Sequence, residues 1–168
     1  MNYTKADVFQ AEATMNQMRN AIYHLARFMD KNGKTDQIKR LRRMGRNIAR
    51  TIFNYWKPIY MVTVVNVKDV ISTIYKKIFI SNVAIEIKDD LISVKENNCA
   101  LCKYHYEDVN IAGCEITLGL ISEFISLISK KSKDISSIYL EPYKVEQSKA
   151  LGHASCIQVY KIKSGGAL

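Results

Sequence analysis

Between Glu96 and Phe124 the chain reads ENNCALCKYHYEDVNIAGCEITLGLISEF, and no other stretch restricts the possible folds as much. A Cys-x-x-Cys pair, Cys99 and Cys102, is followed by Cys114 and then directly by a run whose apolar residues cover a wide helical arc. A tight turn presents two thiols to one point, which suits a tetrahedral zinc ion, and Cys114 with Cys156, or His153, can complete the ligand set. The alternative is four small, buried, reduced thiols. If zinc binds, its role is structural, because four protein ligands leave no position for water. The run after Cys114 is too apolar for an exposed helix. It belongs across a sheet or along a cavity, with Leu118, Ile121, Phe124 and Ile125 as the expected pocket lining.

At 168 residues the chain is long enough to bury a core without disulfides. Residues 1–163 read as one domain and 164–168 as a loose tail. Lys and Arg number 25 against 16 Asp and Glu, a formal charge of +9, which favours anionic partners. The opening MNYTKADVFQ lacks the basic start and apolar centre of a secretion signal, so a cytoplasmic protein is expected, with any membrane contact peripheral. Glu115 and Glu123 interrupt the most apolar stretch and argue against a bilayer span.

Val8, Ala11, Met15, Met18, Ile22, Leu25 and Met29 recur every three or four residues and predict a helix over Ala6–Asp30. Met15, Met18, Ile22 and Leu25 form a stripe that serves either the core or a subunit contact. Thr35 is a candidate cap for a second helix with Ile38, Leu41, Gly45, Ile48, Ile52 and Tyr55 on its buried line, ended by Trp56-Lys57-Pro58. At about 100° per residue, Lys39, Arg42, Arg43, Arg46 and Arg50 are read onto the opposite side as one basic ridge. Such a ridge is either a solvated face or a contact for phosphates or an acidic protein. No aromatic residue interrupts it for base stacking, so a membrane or acidic partner ranks above nucleic acid.

Asn66 can cap a third helix bearing Val70, Ile71, Ile74 and Ile78. Val83–Lys88 and Leu91–Lys95 alternate around Asp89-Asp90 as a hairpin, and Ile138–Ser148 and Ser155–Lys163 read as two later strands. Lys130-Lys131-Ser132-Lys133 closes the helix that starts after Cys114. The predicted class is therefore α+β in two layers, helices packed on a mostly antiparallel sheet. No Gly-rich phosphate loop or catalytic carboxylate pair is present, and the Cys102–His105 and Cys156–His153 neighbours lack the pattern of a nucleophile with its base. The expectation is a protein that is not an enzyme.

Leu41-Arg-Arg-Met-Gly-Arg-Asn-Ile48 and the following Asp69-Val-Ile71 resemble the second and third helices of the small subunits of the transport protein particle, TRAPP. Asn98-Cys99-x-x-Cys102, Cys114 before Gly119, and Gly152-x-x-x-Cys156 are similar to the related ligand-sensing domains named after 4-vinyl reductase. Where those domains carry a further cysteine four residues before the last glycine, this chain has Ser148. The mixture resembles a prokaryotic, archaeal relative. The resemblance implies a vesicle-tethering or transport subunit that forms homodimers or heterodimers with a related subunit, with a small GTPase or other acidic protein as partner. On the 4-vinyl-reductase side it implies a pocket for a small molecule or lipid. Several tethering subunits hold an acyl chain on a cysteine shortly before the third helix. Pro58–Lys68 contains no cysteine, which excludes that linkage here.

Overall fold

The computed structural model describes residues 4–57, 61–131 and 138–164. Pro58, Ile59, the end of the Lys130–Lys133 run and the tail from 165 onward lie outside the described residues. Helix α1 spans Lys5–Lys31 and opens with a capping box, in which the Thr4 hydroxyl accepts from the Asp7 N–H at 3.2 Å and the Asp7 carboxylate accepts from the Thr4 N–H at 2.9 Å. Helix α2 spans Gln37–Tyr55. Its N-cap position falls to Asp36 instead of Thr35, and the Asp36 carboxylate binds Arg40 at 2.7 Å rather than the helix N–H groups.

Helix α3, Val67–Ile74, follows Asn66, whose side-chain oxygen accepts from the Thr63 N–H at 2.9 Å and so orders the preceding turn. A π-helical turn over Tyr75–Phe79 prolongs α3 and ends at Ile80, φ 52°. A β-branched residue in the left-handed region is strained, and here the chain spends that strain on turning sharply toward the sheet.

Strands β1 (Val83–Lys88) and β2 (Leu91–Glu96) form the expected hairpin in the register Val83↔Glu96 to Lys88↔Leu91. Strands β3 (Ile138–Gln147) and β4 (Cys156–Ser164) complete an antiparallel sheet of order β1-β2-β4-β3. Along β1, half-buried Val83, Ile85 and Ile87 alternate with exposed Ala84, Glu86 and Lys88, so one face of the sheet is covered. Helix α4, Glu115–Lys131, lies on the covered face with α2 and α3. The architecture is α+β, as expected.

Two glycines set the depth of the helical layer. A Cβ on Gly45 of α2 would coincide with the Ile116 carbonyl and lie 2.8 Å from the Leu120 nitrogen. A Cβ on Gly119 of α4 would overlap the Arg42 carbonyl. The helices therefore cross with their backbones in contact.

That crossing rotates α2 relative to the sequence reading. Its buried line is Leu41, Gly45, Ala49 and Phe53, while Ile38 and Tyr55 are exposed and Ile48 and Ile52 half-buried. Gly45 and Ala49 permit the close approach, so the small residues face inward in place of the larger ones beside them. In consequence Arg42, Arg46 and Arg50 flank the contact rather than standing opposite it.

Candidate functional site

The register of the sheet brings the cysteines together. Cys156 opens β4 opposite Glu96, whose side chain lies on the covered face with Ile92 and Val94. Three residues after Glu96 the chain turns through Cys99 and Cys102, joined by a Cys102 N–H to Cys99 carbonyl bond of 3.3 Å. Cys114 sits immediately before α4. All four thiols are buried, and the Sγ atoms of Cys99, Cys102 and Cys156 lie within 4.8 Å of one another. Cys114 Sγ is 3.8 Å from the Ser148 hydroxyl, which also stands 4.0 Å from Cys156 Sγ.

Hydrogen bonds from Cys114, Cys156 and Cys99 pull the Cys102 thiol well below its ordinary range, while bonding to Cys102 pushes Cys99 and Cys114 well above theirs. The backbone N–H of Lys149 points at Cys156 Sγ, 3.4 Å away. Around a zinc ion, with Zn–S bonds of ~2.3 Å, neighbouring sulfurs stand about 3.8 Å apart, so thiols gathered within 4.8 Å form a donor set that can hold a soft, tetrahedral metal. His153, the alternative ligand, has its Nδ1 3.2 Å from the Ser148 carbonyl, outside that set.

Sequence reasoning missed the residues that tie this cluster to α1. The Tyr23 hydroxyl donates to the Leu101 carbonyl at 3.0 Å, accepts from the Gly113 N–H at 3.2 Å and lies 3.4 Å from Cys102 Sγ. Burial and the neighbouring Cys102 push its phenol far above the usual range. Arg19, also buried, donates to the Ala100 carbonyl at 2.9 Å and pairs with Glu12 at 2.7 Å. Both residues flank the methionine stripe, and nothing local in the sequence distinguishes them from solvent-facing positions until the Cys-x-x-Cys turn is docked beside them.

Beside the cluster lies an apolar cavity of about 520 Å³. Met15, Met18, Ile22 and Leu25 of α1 form one wall, so the stripe faces a cleft. Met44 and Ile48 of α2, with Ile116 and Leu120 of α4, form another. The π-helical turn contributes Ile78 and Phe79, and the residues between the first two cysteines, Ala100 and Leu101, close the end.

The expected lining of Leu118, Ile121, Phe124 and Ile125 is corrected. These four are fully buried in the core between α4 and the sheet and do not border the cleft. Helix α4 is buried from Glu115 to Ser122 and half-buried at Glu123, Ser126 and Leu127, and Ile116 and Leu120, four residues apart, occupy the side toward α1.

The basic ridge also divides. Arg42 donates to Glu115 at 2.6 Å and to the carbonyls of Pro142 and Tyr143 at 2.9 and 3.1 Å, which joins α2 to α4 and β3. Arg50 pairs with Glu123 at 2.8 Å. The side chains of Lys39, Arg43 and Arg46 make no hydrogen bond or salt bridge among the described residues.

No protein-family model and no curated protein sequence matches the chain. Among solved structures it is similar to the crystal structure of a trafficking protein particle complex subunit 3 from Naegleria fowleri covalently bound to palmitic acid. The match has a TM-score of 0.62 over 90% of this chain and 96% of that one, at 13% identity. The fold is TRAPP-like. The likeness in this TRAPP-like fold extends over nearly the whole of both chains. Among the described residues no helix is long and apolar enough to cross a membrane.

Proposed function

We propose that the chain is a non-enzymatic, TRAPP-like assembly subunit that pairs with a second copy or a related subunit through α1 and turns a basic face to a membrane or an acidic protein. The observation that carries this reading is the unpartnered start of α1. Val8 and Phe9 are 60% and 76% exposed on a capped helix whose first turns touch water on every side. A helical end of this kind gains little from its own chain and is stabilised when its apolar side chains are covered. The structural neighbour is by name one subunit of a particle, and assembly through such a surface fits that role. Lys39, Arg43 and Arg46 remain as the cations of the basic face. Light scattering of the purified protein is expected to give a dimer, and of Val8→Glu/Phe9→Glu a folded monomer. A monomer at high concentration, together with unchanged binding of Lys39→Glu/Arg46→Glu to anionic vesicles, overturns the reading.

A second reading is favoured by the thiol cluster and the cleft it borders. Here the chain is a binding module of the 4-vinyl-reductase type, for a small molecule or lipid, with a structural zinc held by Cys99, Cys102, Cys114 and Cys156. Zinc in that position would fix Ala100 and Leu101, and with them one end of the cleft. Native mass spectrometry is expected to find one zinc ion per chain, and chelation to lower Tm by about 10 °C or more. A metal-free mass with an unchanged Tm after chelation leaves only four buried thiols.

A further inference from the structure

Glu96 is a charged residue type buried to 1% exposure, and its Oε1 has no hydrogen-bond partner among the described residues. The same holds for Ser81 Oγ, Gln158 Nε2 and Tyr160 Oη. The register of the sheet gathers these groups. Cys156 lies directly opposite Glu96 across β2 and β4, and Gln158 lies opposite Val94, so Glu96, Cys156 and Gln158 share the covered face. The polar side chains that bear on the Glu96 carboxyl are the Ser81 hydroxyl, the Cys99 thiol and the Gln158 amide. Gln158 is itself held, because its Oε1 accepts from the Tyr75 hydroxyl at 2.8 Å, which leaves Nε2 as its free end. A carboxyl therefore stands beside two of the three gathered thiols, Cys99 and Cys156, in an apolar interior that does not complete its hydrogen bonds. Burial of that kind is unfavourable to folding, and an apolar side chain of similar shape would serve the core better.

We propose that Glu96 is a positioning residue for the metal at the cysteine cluster, where its carboxyl braces Cys99 against Ser81 and Gln158. The inference rests on the binding-module reading above, in which the four cysteines hold zinc, and adds the residue that orients one of them. A thiol rotates about its Cα–Cβ bond, and an ion is held tightly only when each sulfur is already aimed at it. Three of the cysteines have a partner outside the cluster that does this. The Tyr23 hydroxyl is 3.4 Å from Cys102 Sγ, the Ser148 hydroxyl 3.8 Å from Cys114 Sγ, and the Lys149 N–H 3.4 Å from Cys156 Sγ. For Cys99, the polar side chain that bears on it from outside the cluster is Glu96. Gln158 in turn fixes Glu96, and Tyr75, the first residue of the π-helical turn, fixes Gln158. The brace is thus anchored in both the sheet and the helical layer. Such a role accounts for a buried carboxyl that folding alone does not favour.

The test compares the full-length parent, Glu96→Leu and Glu96→Gln, each stripped of metal and then titrated with Co2+ and with Zn2+ against a competing chelator. Cobalt reports geometry as well as affinity, because its visible bands depend on how nearly tetrahedral the ligand set is. Glu96→Leu is expected to weaken both metals by about ten- to a hundredfold and to change the cobalt spectrum. Its metal-free form should melt at the same temperature as the metal-free parent or higher, since an incompletely bonded carboxyl has left the interior. Those opposite signs separate positioning from packing, which would lower affinity and Tm together. Glu96→Gln keeps the length and the hydrogen-bonding capacity and should restore the parent's spectrum, with affinity within about threefold. Ser122→Ala is the control. It removes another unpartnered buried hydroxyl, about 10 Å along α4 from Glu115, and should leave metal binding as it is. An unchanged cobalt affinity and spectrum in Glu96→Leu, a metal-free Glu96→Leu that melts well below the metal-free parent, or a Glu96→Gln as weak as Glu96→Leu would each overturn the proposal. A parent protein that takes up neither metal sinks the zinc-bearing reading as well, whereas one that binds both and is indifferent to Glu96→Leu sinks this inference alone.

Discussion

Replacing Gly119 by alanine is expected to cost about 3 kcal/mol of folding stability or more, a large share of what a domain of this size possesses. The methyl group would fall on the carbonyl of Arg42, and its other neighbours are also main-chain atoms of α2. Backbone atoms inside a helix cannot swing aside as a side chain can, so the two helices must separate along their contact. Separation would loosen the core beneath, where Phe53 stacks edge-on against Phe124 at 5.5 Å. Gly45→Ala meets the Ile116 carbonyl from the other side of the same crossing and should cost a similar amount. Because both substitutions force one displacement, the double variant is expected to lose less than the sum. Gly33→Ala is the control. Its φ is +62° with nothing near the added carbon, so it should lose only about 1 kcal/mol, from backbone strain alone. Urea denaturation measures all four, and a Gly119→Ala variant within 1 kcal/mol of the parent would show that the helices do not cross as closely as described.

The crossing also marks what the sequence could and could not reveal. Hairpin, strands and helices were legible because their apolar periods are clean: Val83, Ile85 and Ile87 alternate, and the stripe from Val8 to Met29 keeps its spacing. Periodicity weighs large apolar residues, however, and on α2 the inward face is built around Gly45 and Ala49. The sequence reading had Leu41 and Gly45 on the inward face, but it ran the line from Ile38 through Ile48 and Ile52 to Tyr55 instead of through Ala49 and Phe53, and so placed Arg42 on open surface. The gathering of Cys99, Cys102 and Cys156 had a local signal in the Cys-x-x-Cys turn, but Cys156 reaches the others only through the register that sets it opposite Glu96. The cleft had no signal of its own. It exists because α1 is pegged to the cysteine loop by Tyr23 and Arg19 instead of lying flat on α2, and long-range pegs of that kind leave no period in the chain.

Those arginines separate into two kinds by what they face, and Arg42 carries the second large effect. Its side chain is 17% exposed and Glu115 only 6%, and burial pushes the Glu115 carboxyl up while the guanidinium pulls it back down. Arg42→Met keeps much of the side-chain volume but leaves Glu115 ionised, buried and unpaired, and strips the Pro142 and Tyr143 carbonyls of their donor. Breaking one half of a buried pair in this way is expected to cost about 3 kcal/mol or more. The double variant Arg42→Met/Glu115→Gln removes the stranded charge and should recover at least half of that loss. Arg43→Met, on the exposed part of the same helix with no partner to abandon, should change stability by less than about 0.5 kcal/mol. If Arg42→Met proves as mild as Arg43→Met in urea denaturation, Arg42 belongs to the outer surface after all. If instead the double variant recovers nothing, the loss lies with the two β3 carbonyls and not with the buried carboxylate.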